Sequence, residues 1–207
     1  TTAARVYYTH SLNGGTTFAP RRIISDPTGQ HAAWPGFSVQ GEGGDVVAIP
    51  WRDNRNVPNW DVYVAVSTDA GLSFTNYAGA ATSSRKWDPD ARVGSDDTIH
   101  LTYTLPSGTA PFIGDIAYRR STNFGVTWSD EVILNDAEAF FSWFAFDRGT
   151  GLLWLGWKDE RDWELGFLSG DVRLRYSWDR GWTWSAAEFA TDLGGDVEAF
   201  FPELAAG

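Results

Sequence analysis

The sequence predicts an all-β repeat protein assembled from small four-stranded antiparallel sheets. Three observations predict it. One octet recurs four times at near-constant spacing, alternating apolar runs lead into the octets, and no stretch reads as a helix of consequence. The chain has 207 residues, enough to bury a substantial core as one domain spanning 1–207.

The octets are Ser11-Leu12-Asn13-Gly14-Gly15-Thr16-Thr17-Phe18, Ser67-Thr68-Asp69-Ala70-Gly71-Leu72-Ser73-Phe74, Ser121-Thr122-Asn123-Phe124-Gly125-Val126-Thr127-Trp128 and Ser177-Trp178-Asp179-Arg180-Gly181-Trp182-Thr183-Trp184. Their starts lie 56, 54 and 56 residues apart. Asp or Asn at the third position is suited to accept from backbone N–H groups two residues on and close an Asx-type turn. Glycine at the fifth permits positive φ, and the Ser and Thr hydroxyls add side-chain-to-backbone bonds. The closing aromatic is expected to drop into the core. A structural hairpin corner is the first reading of the octet, and a calcium or sugar loop the second.

Each octet follows an alternating run that reads as a half-buried strand: Arg5 to His10, Asp61 to Val66, Asp115 to Arg120 and Asp171 to Tyr176. Upstream lies a second strand, in Val46 to Trp51, Ile99 to Tyr103 and Leu152 to Trp157, which puts Trp51, Tyr103 and Trp157 in equivalent places. Earlier still, Trp34-Pro35-Gly36-Phe37-Ser38-Val39 corresponds to Asp88 to Val93, Phe141 to Phe146 and Phe201 to Ala206. Gly41 to Gly44, Ser95 to Asp97 and Arg148 to Gly151 supply hairpin turns. A full unit is thus strand A, strand B, strand C, octet, strand D. The chain opens on a strand C, holds three full units and stops after a strand A, about fifteen strands in all.

The pattern S-x-D-x-G-x-T-W resembles the Asp-box, or bacterial neuraminidase repeat, of the sialidase-like β-propellers, and its four copies cover essentially the whole chain. The resemblance implies a β-propeller of four-stranded antiparallel blades with the box between the third and fourth strands. Two arrangements fit about four repeats: a compact four-bladed ring, or part of a larger propeller finished elsewhere. It also implies a secreted, extracellular or periplasmic setting. Such scaffolds host many chemistries and many binders, so activity must be argued from the site.

A net charge of −11 argues against nucleic acid and anionic membrane surfaces as partners. No apolar run approaches the length of a membrane span. With no cysteine, disulfides and thiolate metal sites are excluded. The three histidines, His10, His31 and His100, lack metal-ligand spacing, and neither a metal nor a cofactor is expected. The chain begins at Thr1 and contains no methionine, as a processed product or an excerpt would. Twelve tryptophans are expected chiefly as packing between sheets.

In an antiparallel unit the B–C and D–A connections share one end, and the A–B turns and octets share the other. At the first end, two B–C loops are chemically rich: Trp51-Arg52-Asp53-Asn54-Arg55 and Trp157-Lys158-Asp159-Glu160-Arg161-Asp162. The W-x-D-x-R pattern resembles one that recurs beside Asp-boxes in bacterial sialidase-like proteins. Its arginine forks and carboxylates suit an acidic sugar or a polar ligand. The alternative is a local Asp–Arg pair that ties the loop to its neighbour. The D–A side adds His31, Trp34, Asp88, Asp90, Trp143 and Glu203, with aromatics placed either to stack on sugar or to plug the centre.

The candidate ligand-binding residues are therefore Trp51, Arg52, Asp53, Arg55, Trp157, Lys158, Asp159, Arg161, Trp34 and Asp88, and the candidate catalytic carboxyls are Asp53 and Asp159. By the resemblance, a retaining sialidase needs three arginines, an Asp acid/base, a Tyr–Glu nucleophile pair and a Phe/Tyr-Arg-Ile-Pro segment before the first box. Here Arg21-Arg22-Ile23-Ile24 follows a box and lacks the proline, and no Tyr–Glu pair can be picked out. The favoured expectation is a non-catalytic propeller that binds a carbohydrate or protein on the face opposite the octets. A sialidase-like glycoside hydrolase is the first alternative. The second is an assembly module completing its ring with another chain, which makes it a homo-oligomer if the ring is incomplete.

Overall fold

The structure is a computed structural model that describes residues 4–26, 31–39, 44–56, 58–81, 84–107, 113–147, 149–161 and 170–191. Every element among them is a β-strand, and all pairings are antiparallel. No helix among the described residues is long and apolar enough to cross a membrane. The first unit is a ribbon of β1 (Tyr7–Tyr8) and β2 (Arg22–Ile23). The second comprises β3 (Ala32–Ala33), β4 (Ser38–Val39), β5 (Val47–Asp53), β6 (Asp61–Ser67) and β7 (Thr75–Ala80). In the third, β8 (Trp87–Val93), β9 (Ile99–Pro106), β10 (Gly114–Ser121) and β11 (Val132–Ile133) pair in sequence order. The fourth repeats this with β12 (Ala139–Asp147), β13 (Leu152–Asp159), β14 (Asp171–Ser177) and β15 (Glu188–Phe189).

A single pair, Gly114 with Ala139, joins the third and fourth units into one eight-stranded sheet. The described sheets do not close into the compact ring that the length allowed. Fifteen strands are described, but not the fifteen read from the sequence. The strand A of the second unit is split in two, and the expected strand at Phe201 to Ala206 lies outside the described residues.

All four octets lie between a strand C and a strand D, and their bonding is the same in each. The serine hydroxyl accepts from the N–H of the fifth-position glycine, at 2.8–2.9 Å in every copy. The Asp or Asn Oδ1 accepts from the N–H four residues on, at 2.8–2.9 Å. This corrects the expected Asx geometry: the N–H two residues beyond the carboxyl is already held by serine, so the carboxyl reaches over the glycine. The fifth-position glycines all have φ between 76° and 87°.

The core consists of three apolar clusters, one at each junction between successive units. Val6, Tyr8, Ile24, Ile49 and Trp51 fill the first. Val64, Val66, Ala91, Leu101 and Tyr103 fill the second, and Tyr118, Phe144, Leu155 and Trp157 the third. The closing aromatics of the second, third and fourth octets pack into these clusters in turn: Phe74, Trp128 and Trp184. These three octets therefore each anchor their own unit to the unit before it. Phe18 departs from the expectation of a buried aromatic and is 64% exposed, because none of the described sheets packs on that side of the first unit. Tryptophan as packing between sheets holds for Trp51 and Trp157, both fully buried.

Candidate functional site

The two W-x-D-x-R segments lie mostly in strands rather than loops. Trp51, Arg52 and Asp53 are the last residues of β5, and Trp157, Lys158 and Asp159 the last of β13, all six at most 2% exposed. A strand ending beneath a neighbouring sheet buries both of its faces, which alternation alone cannot reveal. Asp53 is bracketed by its own arginine: its Oδ1 accepts from Arg55 N and Nε, and its Oδ2 from Arg55 Nη2 and Trp51 Nε1. Arg55 then reaches Asp26, just after β2 of the preceding unit, at 3.0 Å.

Asp159 is held in the same way by Arg161 N, Nε and Nη2, and Arg161 reaches Asp136, just after β11, at 3.1 Å. Both clips tie a B–C corner to the D–A connection of the unit before. Lys158 pairs with Glu160 at 2.7 Å, both buried. Asp53 and Asp159 stand in separate sheets, each closed off by its guanidinium. Asp162 and Glu203 lie outside the described residues.

The concavity lies at the inner strands. Between Ala33 and Ser38, between Trp87 and Asp90, and between Phe140 and Ser142, the strand A of each unit carries one residue more than its partner. Residues at equivalent positions in these three bulges take left-handed backbone: Trp34 (φ 56°), Asp88 (φ 45°) and Phe141 (φ 48°). None is glycine. Such a conformation costs about 1–2 kcal/mol for an L-residue, and bulges of this kind re-aim a side chain beside a site. Together with Pro35, Pro89, Asp90, Ser142 and Trp143, the three residues bound one hollow of about 220 Å³.

Cross-unit bonds hold the inner strands in place. Phe144 N donates to Asp90 Oδ2 at 3.1 Å, Val93 N to Ser38 Oγ at 3.0 Å, and the Thr102 and Ser142 hydroxyls meet at 2.9 Å. Trp34, 57% exposed, sits edge-on to Trp87, and Phe141 stacks on Trp143 with centroids 6.3 Å apart. Burial pushes the Asp88 carboxyl up to about 6, partly opposed by the positive charge of Arg52. Burial also raises Asp90, against Arg92 and two backbone N–H bonds. Beneath the hollow, the Arg52 guanidinium lies 3.4 Å from the centroid of Trp87 and 4.5 Å from that of Trp60, and burial lowers it to about 10.

The arrangement combines aromatic faces with a carboxyl that changes charge near pH 6. Of the ten candidate ligand residues, only Trp34 and Asp88 line the hollow. Phe141, Ser142 and the two prolines came from strand positions with no site assigned. Their signal was the alignment of Trp34, Asp88 and Phe141 in the three repeats, which becomes meaningful once those positions are seen to bulge. Along β8, about five residues separate this end from the octet end, roughly 16 Å at about 3.3 Å per residue.

The fold is similar to those of known carbohydrate-active proteins. A Hadza microbial sialidase matches at 17% identity with a TM-score of 0.60, over 86% of this chain and 41% of that one. A Penicillium chrysogenum alpha-L-arabinanase complexed with arabinobiose matches at 11% and 0.61, over 93% and 60%. Trypanosoma rangeli sialidase in complex with the inhibitor DANA matches at 13% and 0.55, over 91% and 33%. The chain thus spans between about one-third and three-fifths of the length of these proteins. No protein-family model matches the sequence and no curated protein matches it. At these identities the likeness is one of fold alone.

Proposed function

We propose that this chain is an Asp-box propeller module that binds an uncharged carbohydrate in the hollow between the inner strands, in an extracellular setting. One observation carries this reading: three equivalent bulges, each strained by a non-glycine residue, deliver Trp34, Asp88 and Phe141 to one concavity. Aromatic faces suit the apolar face of a sugar ring, and carboxylates accept from its hydroxyls. Among the described residues no arginine lines the hollow and two carboxyls do, which favours a neutral sugar over an acidic one. The W-x-D-x-R segments serve this reading as clips between units rather than as ligand contacts.

The test is calorimetric titration with neutral oligosaccharides of arabinose, xylose and galactose. Trp34→Ala should weaken binding at least about tenfold, on the scale of a lost aromatic contact. Binding should weaken severalfold between pH 7.5 and 5, as Asp88 takes up a proton, and Asp88→Asn should remove that dependence. Saturable binding that survives Trp34→Ala unchanged, or none across the panel, overturns the reading.

A hydrolase is the second reading, favoured by a single feature: the carboxyl at the hollow, raised to about 6, is suited to general acid chemistry. On that reading the acid is Asp88, not Asp53 or Asp159. Aryl glycoside turnover that falls at least about 100-fold in Asp88→Asn would establish it.

A further inference from the structure

We propose that the octet end carries a second ligand site, at the junction of the third and fourth units, which takes a small ring bearing an anionic group. The site is a hollow of about 230 Å³ bounded by Arg120, Thr122, Thr127, Trp128, Ser129 and Trp182. That is room for one ring rather than for a drug-sized ligand. Trp182, the sixth residue of its octet, is 71% exposed, and the Arg120 guanidinium lies 3.1 Å from its ring centroid.

The lining offers donors. The one protein acceptor of the Arg120 side chain among the described residues is the carbonyl of Arg180, at 3.5 Å. The Trp128 indole N–H is buried with no acceptor among the described residues. Thr127 Oγ1 already accepts from Asn123 Nδ2 at 2.9 Å, which leaves its own O–H to donate. Among the described residues no carboxylate lines the hollow. Asp179, the carboxylate whose charge Arg120 feels, is occupied by Ser177 and Thr183. A guanidinium with one long carbonyl bond and a hydroxyl left to donate, beside an exposed indole, are complementary to a carboxylate or sulfate carried by a ring. This is the reverse of the inner hollow, where carboxyls face the ligand.

Repetition separates this feature from the architecture. The residue before the octet serine and the sixth residue of the next octet are equivalent positions in successive units, and at the third junction they touch. They are His10 and Leu72 at the first, Val66 and Val126 at the second, and Arg120 and Trp182 only at the third. What the scaffold needs recurs in each unit, so a cation–aromatic pair present at one junction is not required for packing.

The experiment is an NMR titration that follows the tryptophan indole N–H signals with galacturonate, glucose 6-sulfate, glucose and inorganic sulfate. The acidic rings should shift the Trp128 and Trp182 signals saturably while glucose does not, and the stronger of the two acids identifies the anionic group. Trp182→Ala and Arg120→Gln should each weaken the acidic ring at least about tenfold, with Trp34→Ala leaving it unchanged. Trp182 is exposed, so its variant keeps the fold, and Arg120→Lys retains the charge should Arg120→Gln fail to fold. The proposal is overturned if glucose binds as well as the acids, if sulfate alone binds as well as the acidic rings, if Trp182→Ala has no effect, or if no indole signal moves. Loss of binding in Trp34→Ala as well would place the acid in the inner hollow and also overturn it.

Discussion

Replacing the octet glycines with alanine separates what the local turn requires from what the neighbouring unit requires. Gly15 and Gly181 have the same role in their octets and similar φ, 84° and 76°. A Cβ at Gly15 meets nothing within 4 Å, whereas one at Gly181 falls 1.9 Å from Tyr118 Oη and 2.8 Å from Cζ. Tyr118 cannot swing away. It is 1% exposed, packs edge-on to Trp184 and Phe144, and its hydroxyl bonds His100 Nδ1 at 2.8 Å.

Gly15→Ala should therefore cost the left-handed backbone alone, about 1–2 kcal/mol. Gly181→Ala adds about 1–3 kcal/mol of overpacking and about 1 kcal/mol for the disturbed hydrogen bond, for a total of about 3–6 kcal/mol. Equilibrium urea denaturation of both variants reads the difference. A double-mutant cycle with Tyr118→Phe, which deletes the clashing oxygen, should recover about 1–2 kcal/mol as coupling. Equal costs at the two glycines, or no coupling to Tyr118, would refute the idea that the octets lock successive units together.

Two further outcomes follow from buried polar groups. His100 is fully buried, and burial holds its imidazole down at about 4 against an ordinary 6.5, with Asp96 opposing and Arg120 adding to the shift. A depressed folded-state value contributes stability above pH 6.5 that is lost as pH falls toward 4, about 2–3 kcal/mol by pH 4.5. Urea midpoints should drop over that window, and His100→Gln, which cannot titrate, should flatten the drop. Asp53→Ala removes the carboxylate that satisfies both Arg55 and the Trp51 indole, and should cost about 3–5 kcal/mol. Asp159→Ala should cost less, because Arg161 is more exposed (38% against 16% for Arg55); thermal melts giving the reverse order would contradict the burial reasoning.

The octets, most of the described strands and the position of each octet between strands C and D were legible in the sequence. Their geometry is local: a serine reaches an N–H four residues away and glycine supplies the positive φ, so eight letters contain the whole device. Register of the unit was legible for the same reason, since Trp51, Tyr103 and Trp157 recur at one strand position and all three are buried.

What tertiary structure alone decided concerns partners far apart in the chain. Alternation cannot say whether the end of β5 or β13 emerges as a loop or stays beneath a neighbour, and this moved Trp51, Arg52, Asp53 and their counterparts from the surface to the interior. The bulges at Trp34, Asp88 and Phe141 were invisible because their left-handed residues are an indole, a carboxyl and a phenyl, none of which advertises positive φ as glycine does. The pairing of Arg120 with Trp182 joins residues 62 positions apart that touch only because one octet packs against the unit before it. Local hydrogen bonds set the corners, whereas long-range strand register and the contact between units set which side chains meet in a hollow.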